Sequence, residues 1–174
     1  MSKAFRILAI AILATTAMPA TSPAQPPAPS LPDSSSLSWI VGDWRGNGTM
    51  MGNASEAVLE VRPALERQFL ELRLRMGPGF EGRAYYRALD GNRWRGHWLD
   101  SRGSSFDIEA AADGRVLTAN WGSESTGRGR SVYRLLDDGR LEVADSIVAR
   151  DGSPREFARH VLSRTSAAAS PGTR

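Results

Sequence analysis

Residues 37–49 read LSWIVGDWRGNGT: an apolar opening, a Gly-Asp-Trp step, then glycines at 46 and 48. With this stretch begins the part of the chain able to build a core. Upstream, residues 25–36 (QPPAPSLPDSSS) are rich in Pro and Ser and poor in large apolar side chains. They bury too little surface to order and read as a disordered leader. At the other end, residues 166–174 (SAAASPGTR) read the same way, as a disordered tail. The folded unit is therefore 37–165.

Inside that unit, turn signals recur about every 10 to 15 residues and the stretches between them alternate with period 2, the pattern of an antiparallel all-β domain. Residues 56–62 (EAVLEVR) set Ala57, Leu59 and Val61 on one face. In 68–76, Leu70, Leu72, Leu74 and Met76 share a face opposed by Glu71, Arg73 and Arg75. After Gly77-Pro78-Gly79, Phe80, Gly82, Ala84 and Tyr86 line one side; Asp90-Gly91-Asn92 signals a hairpin. Trp94, Gly96, Trp98 and Asp100 then share a face, as do Phe106, Ile108 and Ala110. Further strands are expected over 116–121, 128–136, 141–149 and 156–165, with the polar 122–127 segment as a loop at one mouth. About ten strands joined mostly by tight turns favour a single antiparallel up-and-down barrel, which leaves no long open edge.

The N-terminus carries Lys3 and Arg6, an uncharged apolar run over 7–17, and the small-residue stretch 19–24 (PATSPA). That is the layout of a secretory signal peptide over 1–24, with cleavage after Ala20 or Ala24. The run is too short to span a bilayer, so no membrane span is expected and the mature chain is assigned to the periplasm or the exterior. Removing the segment takes Lys3 and Arg6 with it, leaving 20 basic residues, all Arg, against 19 acidic ones. The signs interleave without a basic block, which speaks against nucleic acid as a partner. Cysteine is absent, excluding disulfides, thiol nucleophiles and a lipid-modified cysteine. A core of this length suffices for a stable monomer.

Gly42-Asp43-Trp44-Arg45-Gly46, Arg67-Gln68-Phe69-Leu70-Glu71, Trp98-Leu99-Asp100-Ser101 and a last strand ending Ser163-Arg164 together resemble a family of uncharacterised exported bacterial proteins with a calycin-like barrel, relatives of lipocalins and nitrobindins. The resemblance implies a short N-terminal helical turn that plugs one end of the barrel. It also implies that Trp44 packs beneath that turn, covered by Arg164, which donates to the carbonyls of residues 38–41.

No Gly-x-Ser-x-Gly elbow, P-loop or dinucleotide glycine pattern occurs, and His97 and His160 share no metal-ligand spacing. The aromatic residues say more. Tyr86, Trp94, Trp98, Phe106 and Trp121 fall on inward-capable faces of neighbouring strands, interleaved with Gly82, Ala84, Gly96 and Ala110. A barrel of this size either fills its interior with such rings or encloses one small ligand among them. The leading reading is a non-catalytic barrel binding a small apolar molecule through Tyr86, Trp94, Trp98 and Trp121, with Asp100 and His97 orienting a polar group near the rim and no cofactor.

The last hairpin leaves two parities open. With a three-residue turn at Asp151-Gly152-Ser153, Val143, Asp145, Ile147, Phe157, Arg159 and Val161 face inward, and Asp145 and Arg159 form a buried ion pair. This is the favoured arrangement. The opposite parity turns Ala144, Ser146, Ala158, His160, Leu162 and Arg164 inward. It resembles the nitrobindins, haem-binding barrels with an axial histidine in a closing strand, and would make His160 a haem ligand reacting with nitrogen oxides or peroxide. A third reading is an envelope structural or interaction module acting through the outer surface and the 122–127 loop.

Overall fold

The computed structural model describes residues 36–165; the expected signal peptide, the leader up to residue 35 and the tail from 166 lie outside the described residues. A single 3-10 turn, Ser38–Ile40, precedes ten strands. They are β1 (Gly42–Met50), β2 (Asn53–Ala64), β3 (Phe69–Met76), β4 (Phe80–Asp90), β5 (Arg93–Asp100), β6 (Ser105–Asp113), β7 (Val116–Ser123), β8 (Gly127–Leu135), β9 (Leu141–Val148) and β10 (Pro154–Arg164). Each pairs antiparallel with its chain neighbour, and β1 also pairs with β10, so the sheet closes on itself. Closure leaves no row of unpaired backbone groups at an edge. The fold is the all-β up-and-down barrel expected from the period-2 pattern.

The pattern also sets the two faces. In β3, Leu70, Leu72, Leu74 and Met76 are buried inside. The alternate Arg73 and Arg75 reach across the outer wall to Glu81 and Glu60. Similar outward rows run Arg45 to Glu56, Arg83 to Glu71, and Arg134 and Arg159 to Glu142. Exposed pairs of this kind contribute little to stability, because water screens them and holding two long side chains together costs entropy. They do characterise a water-facing wall, since a lipid-facing one is an apolar band. No helix among the described residues is long and apolar enough to cross a membrane.

One end is shut. Leu37, just before the 3-10 turn, Ile40 within it and Trp44 at the base of β1 are completely buried, and the Trp44 indole N–H donates to the Ile40 carbonyl at 2.8 Å. Arg164, at the end of β10, lays its guanidinium 4.1 Å from the centre of the Trp44 ring. It donates through Nη1 to the Val41 carbonyl at 2.6 Å and through Nη2 to the Trp39 carbonyl at 3.0 Å, satisfying carbonyls that the short turn leaves open. Gly42 makes this crossing possible: at φ +138° it occupies a conformation that side chains avoid, and a Cβ there would lie 2.1 Å from Arg164 Nη1. Ser36 also joins the closed end, its hydroxyl accepting from the Trp94 indole at 3.2 Å.

The last hairpin follows neither parity throughout. β9 turns Leu141, Val143 and Asp145 inward, while β10 turns Ala158, His160 and Leu162 inward. The register explains the mixture: Ile147 lies opposite Arg155, but a bulge between Glu156 and Ala158 shifts the pairing, so Asp145 lies opposite Ala158 and Val143 opposite His160. One extra residue exchanges the faces of everything beyond it. The expected buried Asp145–Arg159 pair is therefore corrected. Arg159 is outside, bound to Glu142 and Glu156, and Asp145 is inside without it. A second feature without a signal in the sequence is the β2–β3 turn, where Leu65, Glu66 and Arg67 all have positive φ though none is glycine.

Truncating the plug tests the closed end. Trp44→Ala is expected to lose about 3–5 kcal/mol of unfolding free energy by opening a cavity beneath the 3-10 turn. Urea denaturation of variant and parent measures it; an unchanged midpoint would contradict the plug.

Candidate ligand-binding site

The inward side chains fill the closed half of the barrel but not the open half. Leu59, Val61, Leu72, Leu117, Leu141 and Leu162 are each 1% exposed or less. Toward the other end a cavity of about 310 Å³ opens between the strands, with Met51, Arg102, Ser104 and Thr126 from the mouth loops at its rim. Its size lies at the lower end of the range for small-molecule sites.

The rings of the wall lie in a manner that preserves this space. Trp98 of β5 lies across Gly82 of β4, so closely that a Cβ on the glycine would be 2.0 Å from its six-membered ring. Trp121 of β7 covers Gly129, its partner on β8, at the same separation. Tyr86 of β4 stands likewise over Gly96 of β5. With no side chain beneath them, the rings rest against the backbone of the adjacent strand instead of projecting to the axis. Phe80 stacks on Trp98 with centroids 6.4 Å apart, and Phe106 leans on Trp121 at 5.4 Å. Arg102 lies over Phe80 at 5.3 Å.

Among these apolar surfaces one acid stands out. Asp145 is 6% exposed and lines the cavity with Ser131, Tyr133 and Tyr86. Ser131 Oγ donates to Asp145 Oδ1 at 2.5 Å and accepts from the Trp121 indole N–H at 3.1 Å. Asp145 Oδ2 has no hydrogen-bond partner. Burial pushes the Asp145 carboxyl up to about 6, against the opposing pull of the Ser131 hydrogen bond. Burial also raises the hydroxyls of Tyr86 and Tyr133, and the charge of Asp145 adds to both shifts.

Of the ligand-binding candidates from the sequence, Tyr86, Trp98, Trp121 and Asp100 line this cavity. Asp100 is already engaged: its carboxylate accepts from the backbone N–H groups of Arg102 and Ser104 and from the Trp98 indole. Partial burial would raise its pKa, but these bonds outweigh that and lower it. It shapes the β5–β6 loop. Trp94 is buried nearer the closed end, tied to Ser36. His97 is on the outer wall, with Nδ1 3.0 Å from Asp107 Oδ1 and Nε2 2.8 Å from Ser105 Oγ, because odd positions of β5 face outward. The Ser105–His97–Asp107 row has the contact order of a hydrolytic triad. Its acid, however, is 94% exposed, where water screens the charge that would have to hold an imidazolium. Ser131, Tyr133 and Phe157 were not among the site candidates read from the sequence, and Asp145 was placed there as half of an ion pair.

His160 lies inside the barrel, between Gly48 of β1 and Val143 of β9, at 1% exposure. Both ring nitrogens lack a hydrogen-bond partner, and burial lowers its pKa, favouring the neutral form. It is nonetheless not part of the cavity lining, which ends on the mouth side of it at Asp145. An axial ligand must present a nitrogen to the space holding the porphyrin. The residues present therefore do not fit a haem. Comparison with protein-family models and with curated proteins finds no match to this chain.

The raised Asp145 pKa has a thermodynamic consequence. A carboxyl at about 6 in the folded state against 3.8 ordinarily contributes stability that is fully present below about pH 3.8 and lost as pH rises through about 6. Asp145→Asn removes the titration and keeps the shape. The stability of the variant relative to the parent is expected to rise by on the order of 3 kcal/mol between pH 3.5 and pH 7.5. Urea denaturation of both proteins across that range checks it; a constant difference would mean that the carboxyl is solvated.

Proposed function

We propose that this protein is an exported, non-catalytic barrel of the calycin type that holds one small, mainly apolar molecule in the open half of its lumen. The observation that carries the reading is the cavity of about 310 Å³, walled by Trp98, Trp121, Phe80 and Phe106 and reached from one end of a barrel whose other end is sealed. Burial of apolar ligand surface against these rings, about 25 cal/mol per Å², supplies affinity without any group placed for bond making. The N-terminal layout of Lys3, Arg6, the apolar run and the small residues that follow supports export to the periplasm or exterior. The proposed state is a monomer.

Two measurements test this. In the parent protein, N-phenyl-1-naphthylamine, an uncharged probe that brightens in apolar surroundings, should bind saturably at one site and quench Trp98 and Trp121. In Gly129→Val the side chain lifts Trp121 into the lumen, and probe affinity should fall at least tenfold while cooperative unfolding persists. Absence of saturable binding to the parent would refute a ligand-holding lumen. Export is checked by N-terminal sequencing of protein recovered outside the cytoplasm of its host, with Thr21 or Gln25 expected as the first residue.

A further inference from the structure

The apolar wall does not explain Asp145. An aspartate is almost never this deeply buried without a partner, since a charge removed from water costs several kcal/mol unless it is paired and hydrogen-bonded. Here one oxygen is held by Ser131, the other, Oδ2, has no partner, and the side chain that carries them lines the cavity. The acid is positioned by more than Ser131 alone: the Trp121 indole holds that hydroxyl from the opposite side, fixing Oδ1 and leaving Oδ2 free. Arg159, the cation read from the sequence as its partner, is on the outer wall. Arg102 is the one cationic side chain lining the cavity among the described residues, and it belongs to the mouth loop, over Phe80.

Building on the lumen-binding reading, we infer that the ligand is an amphiphilic organic amine, whose ammonium donates to the Asp145 carboxylate while its apolar body lies among Trp98, Phe106 and Trp121. Three features of the site select this chemistry. An ammonium is a pure donor and meets an orphan acceptor, and a charge-assisted bond of that kind is about twice as strong as one between neutral groups. The negative faces of the surrounding rings attract a cation and offer nothing to an anion. An anionic head would meet Asp145 at close range with no cation beside it, which makes carboxylates and phosphates the disfavoured class.

Calorimetric titration of the full chain at pH 7.5 with three compounds sharing one apolar body separates the head groups. The compounds are 4-phenylbutylamine, 4-phenylbutan-1-ol and 4-phenylbutyric acid. The amine is expected to bind at least tenfold more tightly than the alcohol, and the acid more weakly than either. In Asp145→Asn the amine should lose at least tenfold in affinity while the alcohol stays within threefold of its parent value. The ranking in the parent alone decides the matter if that variant does not fold. Equal binding of amine and alcohol, or preference for the acid, would overturn the amine assignment and leave lumen binding intact. Failure of all three compounds where the uncharged probe binds would overturn it too. If the uncharged probe also fails, the lumen reading itself has fallen and this inference with it.

Discussion

A sheet that closes through ten strands encloses a volume set by its circumference, and its inward side chains then have to fill that volume or leave it open. In this protein the two halves of the barrel meet the constraint differently. The closed half is packed with aliphatic side chains and stoppered by Trp44, whose indole is bonded to the turn above it and covered by Arg164. In the open half, bulky rings alternate with glycines on the neighbouring strands. Each glycine removes the side chain that would otherwise hold a ring away from the wall, and Trp98 and Trp121 lie against the backbone beneath them. Aromatic mass, which ordinarily fills a core, here lines one.

The same wall holds a group that works against stability. Neutral shape could be kept at position 145 by an amide, yet the chain carries a carboxyl there, half bonded and nearly inaccessible. Local departures from the best-folding choice tend to collect where a protein binds something. Its surroundings agree with that interpretation, because Ser131 and Trp121 arrange the carboxyl instead of neutralising it. Among the described residues, His160 is the other side chain with buried polar atoms that lack partners, and it differs in kind: it is not part of the cavity lining, and a lowered pKa favours its uncharged form.

The sequence by itself determined the barrel. Period-2 alternation bounded by Gly, Pro and Asp turns is a local property, legible wherever one face of a strand meets water and the other a core, and so the strands appear close to where they were expected. The rings at Tyr86, Trp98 and Trp121 were legible for the same reason, since parity within a strand assigns each one a face. Two things were decided by tertiary structure alone. Whether those rings fill the lumen depends on what lies beneath them on the next strand, and Gly82 and Gly129 are 16 and 8 residues away from the indoles they underlie. The identity of the polar contact depends on register: the bulge between Glu156 and Ala158 turns Arg159 away from Asp145, which the β8–β9 ladder sets opposite Ser131. A displacement of one residue in a ladder costs little locally and leaves no mark in composition, yet it reverses which side chains beyond it meet the interior.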